Sequence, residues 1–172
     1  MEKNNTLTIR RLEPSDKPFL HEVFMWERDH PQWYRQMDGV FGPQTPDEFV
    51  DLVDDPENAL IGIFNPELTG LITASIASKD RYAVHLWAKR GTSLDVLAEA
   101  GYQIREQLVR FGAQEIFVWV AEKNRPVKQL CARLGLLPDG IEMLKGCYKG
   151  KVIVWQRLTL TYNHAAQAKM AA

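Results

Sequence analysis

The 172-residue chain has few cysteines and no long apolar run. Its two cysteines, Cys131 and Cys147, are too few for a disulfide scaffold and do not form a C-x-x-C pair, so they favour a reducing compartment. The longest apolar runs, such as residues 116–121, are far shorter than the roughly 20 residues that a membrane span needs. We therefore expect a cytoplasmic protein with no membrane partner.

Clustered metal ligands and a strong net charge are also lacking. The four histidines are scattered, and no H-x-x-x-H pair or Cys/His cluster occurs at ligand spacing, so no metal site is predicted. The formal net charge of -1 gives no indication of a surface that neutralises many phosphates of a nucleic acid. Because no G-x-x-x-x-G-K-[ST] sequence occurs, a nucleoside-triphosphate enzyme is poorly supported.

The composition that remains is ordinary for a globular domain, with 45% hydrophobic and 25% charged residues. The sequence contains no internal repeat and no linker. We therefore predict a single domain over residues 1–172, with flexible ends at residues 1–5 and 163–172.

Hydrophobic periodicity predicts an alternation of strands and helices. Strands are expected over residues 6–12, 59–64, 70–77, 82–87, 115–121, 143–148 and 151–161, the last two joined by a turn at 149–150. Helices are expected from 14 to about 28, from a capping box at 45–48 to about 53, from 94 to 111, and from 124 to 134. The nearly continuous apolar run at 116–120 indicates a strand covered on both faces, as in a parallel or mixed sheet surrounded by helices.

The loop between the fourth predicted strand and the next helix indicates a ligand. It reads Ala88-Lys89-Arg90-Gly91-Thr92-Ser93. A glycine-bearing loop between a strand and a helix is where backbone N–H groups and the positive end of a helix can hold a phosphate. Lys89 and Arg90 would add charge, and Ser93 can cap the helix.

At this point the sequence resembles the GCN5-related N-acetyltransferase (GNAT) superfamily. The element order matches from Leu7 to about Leu160, and Thr8-Ile9-Arg10-Arg11-Leu12 with Asp16 looks like the family's first strand and helix. The segment Asn124-x-x-Val127-x-x-Leu130-Cys131-x-Arg133-x-Gly135-Leu136 is similar to the family's N-x-x-[AS]-x-x-L-Y-x-K-x-G-F. The loop aligns on Gly91 with the family's [QR]-x-x-G-x-[GA].

The resemblance implies an α/β (α+β) fold. Its sheet would be twisted, mixed and mostly antiparallel, with about six to seven strands and helices on both faces. It also implies an N-acetyltransferase that moves the acetyl group of acetyl-CoA directly to an amine, with backbone N–H groups near a splayed strand serving the carbonyl. The residues that the resemblance assigns to the coenzyme are Leu86, Trp87, Ala88, Lys89, Arg90, Gly91, Thr92, Ser93 and Asn124.

Three residues depart from the family's pattern at Ala88, Ser93 and Cys131. In many family members a tyrosine at the position of Cys131 protonates the departing coenzyme A thiolate. Cys131 either donates that proton or packs as a small buried hydrophobe. The concurrence of three departures motivates an alternative, a catalytically degenerate GNAT-fold protein that serves as a structural or binding component of a larger assembly, for example a virus particle.

His85 is the first candidate for a general base, because an unperturbed imidazole titrates near neutrality. Strand alternation puts His85 on one face with Trp87, but it does not say which face meets the cleft. A hydrogen-bonded structural histidine is the alternative, and Glu122 is the second candidate base.

The sequence leaves open whether the acceptor is a small molecule or a protein. Residues 29–43 and the last hairpin are expected to select it. A homo-oligomer or another assembly partner is also left open.

Overall fold

The computed structural model describes residues 7–29, 45, 47–48, 58–65, 67–89, 91–148 and 151–162. Seven strands form one sheet in the order β1-β2-β3-β4-β5-β7-β6. The strands are β1 Thr8–Arg11, β2 Asn58–Phe64, β3 Leu68–Ser78, β4 Arg81–Ala88, β5 Glu115–Ala121, β6 Leu137–Tyr148 and β7 Lys151–Thr161. The helices are α1 Lys17–Asp29, α2 Leu94–Arg110 and α3 Arg125–Arg133, with a short 3-10 helix at Pro14–Asp16.

The pairing of the strands confirms a mixed, mostly antiparallel sheet. Only β4 and β5 run parallel among the paired strands of the described residues. They are joined by α2, since parallel neighbours cannot be linked by a hairpin. The fold class expected from the sequence is therefore confirmed.

The sheet has helices on both faces, and β4 separates two hydrophobic layers. Its even-numbered residues pack against the core beneath α2 and α3, whereas Trp87 packs with Phe19 of α1. His85 has the same parity as Trp87 and therefore lies on the α1 face, which the sequence alone left undecided. The even-numbered residues are Tyr82, Val84 and Leu86.

Strands β4 and β5 pair over only a short distance. Residues 81–83 lie opposite residues 115–117, and no further pair joins the described parts of the two strands. Both strands nevertheless continue, to Ala88 and to Ala121, where β4 stays paired with β3 and β5 with β7. The sheet therefore opens into a cleft towards the carboxyl ends of β4 and β5.

A network of charged side chains connects β4, β5, β7 and β6 at the closed end of this cleft. Arg81 donates to Oε1 of Glu115 from Nε at 3.0 Å and from Nη2 at 2.7 Å. Arg157 donates to Asp139 at 2.5 Å and also lies 3.8 Å from Glu115. The guanidinium carbons of Arg81 and Arg157 are 5.6 and 5.5 Å from the centre of the Phe117 ring, so both cations are within cation–π distance of it.

The start of β6 differs from the prediction. The strand begins at Leu137 rather than at residue 143, although Pro138-Asp139-Gly140 is a turn-like sequence. A register shift between Pro138 and Glu142 accommodates these residues, and Gly140 has a φ of 83°. The carboxylate of Asp139 accepts hydrogen bonds from the Ile141 N–H at 3.0 Å and from β7, which holds the irregular segment against the sheet.

The short helix predicted after residue 45 is described at its start only. The N–H of Glu48 donates to Oγ1 of Thr45 at 3.2 Å, as a capping box requires. The predicted end of that helix, the turn at 149–150 and both chain ends lie outside the described residues, as do residues 30–43 of the segment expected to select the acceptor. Within the described ranges, no helix is both long and apolar enough to cross a membrane.

Replacing Asp139 by Asn is expected to reduce the acid sensitivity of the fold. Burial alone would raise the pKa of Asp139, but the hydrogen bonds that its carboxylate accepts from the Ile141 N–H and from β7 side chains hold this pKa below its ordinary value. Such a group stabilises the fold above its unfolded pKa of about 3.9, and the contribution is lost as the pH falls through the lower folded pKa. Urea unfolding from pH 6 to pH 2 should show a shallower loss of stability in Asp139→Asn than in the parent.

The matched control is Glu106→Gln, which removes an exposed carboxylate 3.9 Å from Arg110 on α2. Its unfolding free energy should follow the pH dependence of the parent protein. Parallel pH curves for the parent and Asp139→Asn would contradict the role assigned to this network.

Candidate functional site

The open half of β4 turns a row of peptide groups towards the cleft. In an antiparallel ladder, hydrogen-bonded and non-hydrogen-bonded pairs alternate. The N–H of Lys89 donates to the carbonyl of Thr69 at 2.8 Å, so the odd-numbered residues of β4 bond to β3. The N–H and C=O groups of the intervening residues therefore point away from β3 and into the cleft: Val84, Leu86 and Ala88.

The open half of β5 also turns peptide groups towards the cleft, from the side opposite β4. The N–H of Glu122 donates to the carbonyl of Val154 in β7 at 2.9 Å, so the even-numbered residues of β5 bond to β7. The peptide groups of Trp119 and Ala121 consequently face β4, with no strand partner across the cleft in the described structure. A gap with peptide groups along both edges suits an extended chain that carries amides of its own.

The loop after β4 is held in shape by its own hydrogen bonds. The N–H of Thr92 donates to the carbonyl of Lys89 at 3.1 Å, and its Oγ1 lies 2.8 Å from the same oxygen. Gly91 has a φ of 90°, where an L side chain is strained, and a Cβ on it would have no described atom within 4 Å. The loop thus leaves open space beside its glycine.

Ser93 makes the transition from this loop to α2. Its extended backbone precedes the helix, and its Oγ accepts a hydrogen bond from the Val96 N–H at 3.3 Å. The N–H groups of the preceding first-turn residues, Leu94 and Asp95, have no intrahelical acceptor. The positive end of the 17-residue helix therefore faces the loop.

Two cations, Lys89 and Arg133, are described near the loop and the start of α2. The Lys89 ammonium lies 3.9 Å from Glu67 and 5.7 Å from the centre of the Phe19 ring, so it turns towards the α1 face. Arg90 lies outside the described residues. Beside the first turn of α2 the cation is Arg133 of α3, which donates to Asp95 at 2.8 Å.

Sequence reasoning did not select Arg133. A basic residue in the last turn of a helix is explained by the helix dipole alone, and only the packing of α3 against α2 brings Arg133 to Asp95 in the first turn of α2. No local signal in the sequence indicates that contact.

His85 lies beside the cleft, on the α1 face. Across the ladder it faces the buried Thr73 of β3, and its ring centre is 5.8 Å from that of Trp87. Continuing the β4–β5 register past its last pair puts His85 level with Trp119, on the opposite side of the gap. The position thus suits a group that acts on a molecule entering from the α1 face.

Cys131 lies in the core beneath α2 and α3. It is only 5% exposed, and burial raises the pKa of its thiol to about 12. A thiol with so high a pKa is a poor proton donor to a thiolate whose ordinary value is about 8.5. The structure therefore favours the packing role that the sequence offered as an alternative.

The turn after β5 brings Glu122 and Asn124 to the open end of the cleft. The Glu122 side chain is exposed, and its carbonyl accepts from Nζ of Lys128 at 3.4 Å. Asn124 caps α3 by accepting from the Val127 N–H at 3.4 Å. Both residues belong to this turn, whereas His85 lies within β4 on the α1 face of the sheet.

Comparison with solved structures identifies the fold. The chain is similar to the ribosomal-protein-S5-alanine acetyltransferase of Vibrio fischeri, with 15% identity, a TM-score of 0.70, and 95% of this chain and 97% of that chain covered. It is similar to spermidine N-acetyltransferase from Vibrio cholerae in complex with CoA and spermine, with 16% identity, a TM-score of 0.71, and 92% and 96% covered. It is also similar to Mycobacterium smegmatis RimJ in complex with CoA-disulfide, with 13% identity, a TM-score of 0.70, and 96% and 88% covered.

These likenesses confirm, at the level of the fold, the resemblance to the GNAT superfamily. No family model matches the sequence, and the search of curated proteins finds no match. At identities this low the likeness establishes the architecture, and the activity has to be argued from the cleft.

Cys131 is expected to be inert to thiol reagents while the protein is folded. With a pKa of about 12, the thiol is ionised at pH 8 in roughly one molecule in ten thousand. In a Cys147→Ser background, the reaction with a disulfide reagent at pH 8 should follow urea-induced unfolding. The Cys131→Ala, Cys147→Ser double variant gives the blank, and rapid labelling of the native single-cysteine protein would show that the thiol is accessible and activated.

Proposed function

We propose that the protein is an acetyl-CoA-dependent N-acetyltransferase that transfers an acetyl group to an amine. The observation that carries this proposal is the parting of β4 and β5 after Ala83 and Phe117. The resulting cleft has peptide groups along both edges and ends at the positive end of α2. An extended molecule with amides along its length and phosphates at one end matches both features, and coenzyme A has this form.

The cosubstrate fits the residues that line the cleft and the loop. The peptide groups of Leu86 and Ala88 are available to its amides, and the open space at Gly91 leads to the N-terminus of α2 for its phosphates. Ser93 would retain its capping role. Because a backbone site needs no diagnostic side chain, the alanine at position 88 does not count against binding.

The two faces of the cleft would have different roles. Helices α2 and α3 cover one face, and the phosphate loop leads into α2. The amine therefore reaches the thioester from the α1 face, where His85 lies. In this proposal His85 accepts the proton that the attacking nitrogen loses, and peptide N–H groups at the cleft stabilise the charge that develops on the carbonyl oxygen.

The departing thiolate also has to gain a proton. Cys131 is not proposed as its source, because the thiol is buried and its pKa is about 12. The exposed Glu122 remains a second candidate for proton transfer, although it lies at the end of β5 and away from His85 in the register. No contact among the described residues favours the alternative of a structural component over the enzyme.

Replacing Gly91 by Glu is expected to abolish binding of acetyl-CoA. The new side chain would occupy the open space at the loop and repel phosphate. Gly112→Glu is the matched control, because Gly112 also has a positive φ, 93°, and open space around a Cβ, but lies past the other end of α2. Calorimetry should show binding by the parent and by Gly112→Glu, and none by Gly91→Glu at millimolar ligand.

Two results would reject parts of this scheme. Failure of the parent protein to bind acetyl-CoA at millimolar concentration would reject the proposed function. Equal binding by Gly91→Glu would show that the ligand lies elsewhere.

Replacing His85 by Gln is expected to slow catalysis at neutral pH. Loss of a general base lowers kcat/KM by roughly 10² to 10⁴, and the KM for acetyl-CoA should stay unchanged. The parent's rise in activity with pH, expected as an imidazole loses its proton, should disappear from the variant's profile. His21→Gln, on α1, is the control; an unchanged rate and pH profile in His85→Gln would assign His85 to the structural alternative.

A further inference from the structure

The α1 face of the open cleft carries large aromatic side chains. The even-numbered residues of β5 pack against the core beneath α2 and α3, so its odd-numbered residues, which include Phe117 and Trp119, lie on the α1 face. Trp155 of β7 is on the same face, because it is paired with the odd-numbered Ala121. Trp155 lies opposite Ala121, the last residue of β5, and His85 and Trp87 approach from β4. An amine that enters from this face would therefore meet a mostly aromatic surface.

The carboxylates of the strands on this face are already neutralised. Glu115 accepts from Arg81, and Asp139 accepts from Arg157, both near the closed end of the cleft. Glu142 is on the opposite face, where it accepts from Gln156 at 3.1 Å. Among the described strand residues, no unpaired carboxylate is left beside the open cleft to attract a second positive charge on the acceptor.

Trp155 adds a buried hydrogen-bond donor. Its side chain is 5% exposed, and its indole Nε1 is buried with no hydrogen-bond partner in the described structure. An indole N–H can only donate, and a buried donor without an acceptor is unfavourable. The donor belongs to β7, which pairs with β5 beside the cleft. An oxygen on a bound molecule that reached the indole would satisfy it.

Resting on the proposed acetyltransferase function, we propose that the acceptor is an amine with an apolar body and a carbonyl or carboxylate oxygen that accepts from Trp155. The aromatic face would hold the apolar body, and the indole N–H would hold the oxygen. The reacting nitrogen would then point towards His85 and the thioester. A polyamine, whose short methylene segments are separated by charged nitrogens and which has no oxygen, fits this surface poorly.

The first test compares amines in a thiol-release assay with acetyl-CoA. L-phenylalaninamide and L-phenylalanine supply an aromatic body with a carbonyl or a carboxylate, 2-phenylethylamine lacks the oxygen, and spermidine lacks both features. The parent should use at least one of the first two with a kcat/KM about tenfold or more above that for spermidine. A preference for spermidine would overturn the proposal.

Trp155→Phe isolates the hydrogen bond, since it keeps an aromatic ring and removes the N–H. The KM for the preferred oxygen-bearing amine should rise about tenfold, whereas the KM values for 2-phenylethylamine and for acetyl-CoA should not change. If Trp155→Phe changes the KM values of the amines with and without an oxygen equally, Trp155 only packs against its neighbours or donates to a buried water. That result would overturn its proposed role as the donor to the acceptor's oxygen.

A spectroscopic measurement covers the case in which Trp155→Phe does not fold. In the parent protein labelled with ¹⁵N-tryptophan and saturated with CoA, the Trp155 indole N–H resonance should move on addition of L-phenylalaninamide and stay in place with 2-phenylethylamine. No movement with either oxygen-bearing amine would overturn the proposal. Binding of acetyl-CoA with turnover of polyamines alone would reject only this inference, whereas the absence of acetyl-CoA binding would reject the acetyltransferase itself.

Discussion

The hydrogen-bond ladder between β4 and β5 is short, and the rest of the site depends on where it stops. Three residues of each strand pair, and beyond them the two strands separate while each keeps its other neighbour. Strand β3 pairs with the outer edge of β4 and β7 with that of β5, so both strands of the gap remain part of the sheet. Arg81 and Glu115 bond across the first pair of this ladder, so a salt bridge strengthens the paired stretch at its closed end.

The opening also gives the two faces of the sheet separate tasks in the proposed reaction. The crossover helix α2 packs on one face, and its N-terminus meets the loop at the end of β4. The first helix packs on the other face through a smaller hydrophobic layer, beside His85. One strand thus presents peptide groups to the cleft, a candidate base to one face and apolar packing to the other, because its side chains alternate between the two faces of the sheet while its peptide groups alternate between the two edges of the strand.

Some predicted site residues have their expected local roles, and others do not. Ser93 and Asn124 cap the helices that they were expected to begin, since capping depends on residues within one turn. Lys89 turns towards Glu67 instead of towards the helix end, because a long side chain follows the charges around it. Arg133 reaches the first turn of α2 only through the packing of two helices. The unsatisfied N–H of Trp155 follows from burial of the side chain, which the sequence does not show.

The sequence by itself determined the order of the elements and the caps, because hydrophobic period and end signals act over a few residues. It also determined that His85 and Trp87 share a face, since strand side chains alternate. Only the tertiary structure decided which face that is, where β4 leaves β5, and that Cys131 is buried with a raised pKa. These properties depend on contacts between segments far apart in the chain, and the pattern of residues within one segment does not predict such contacts.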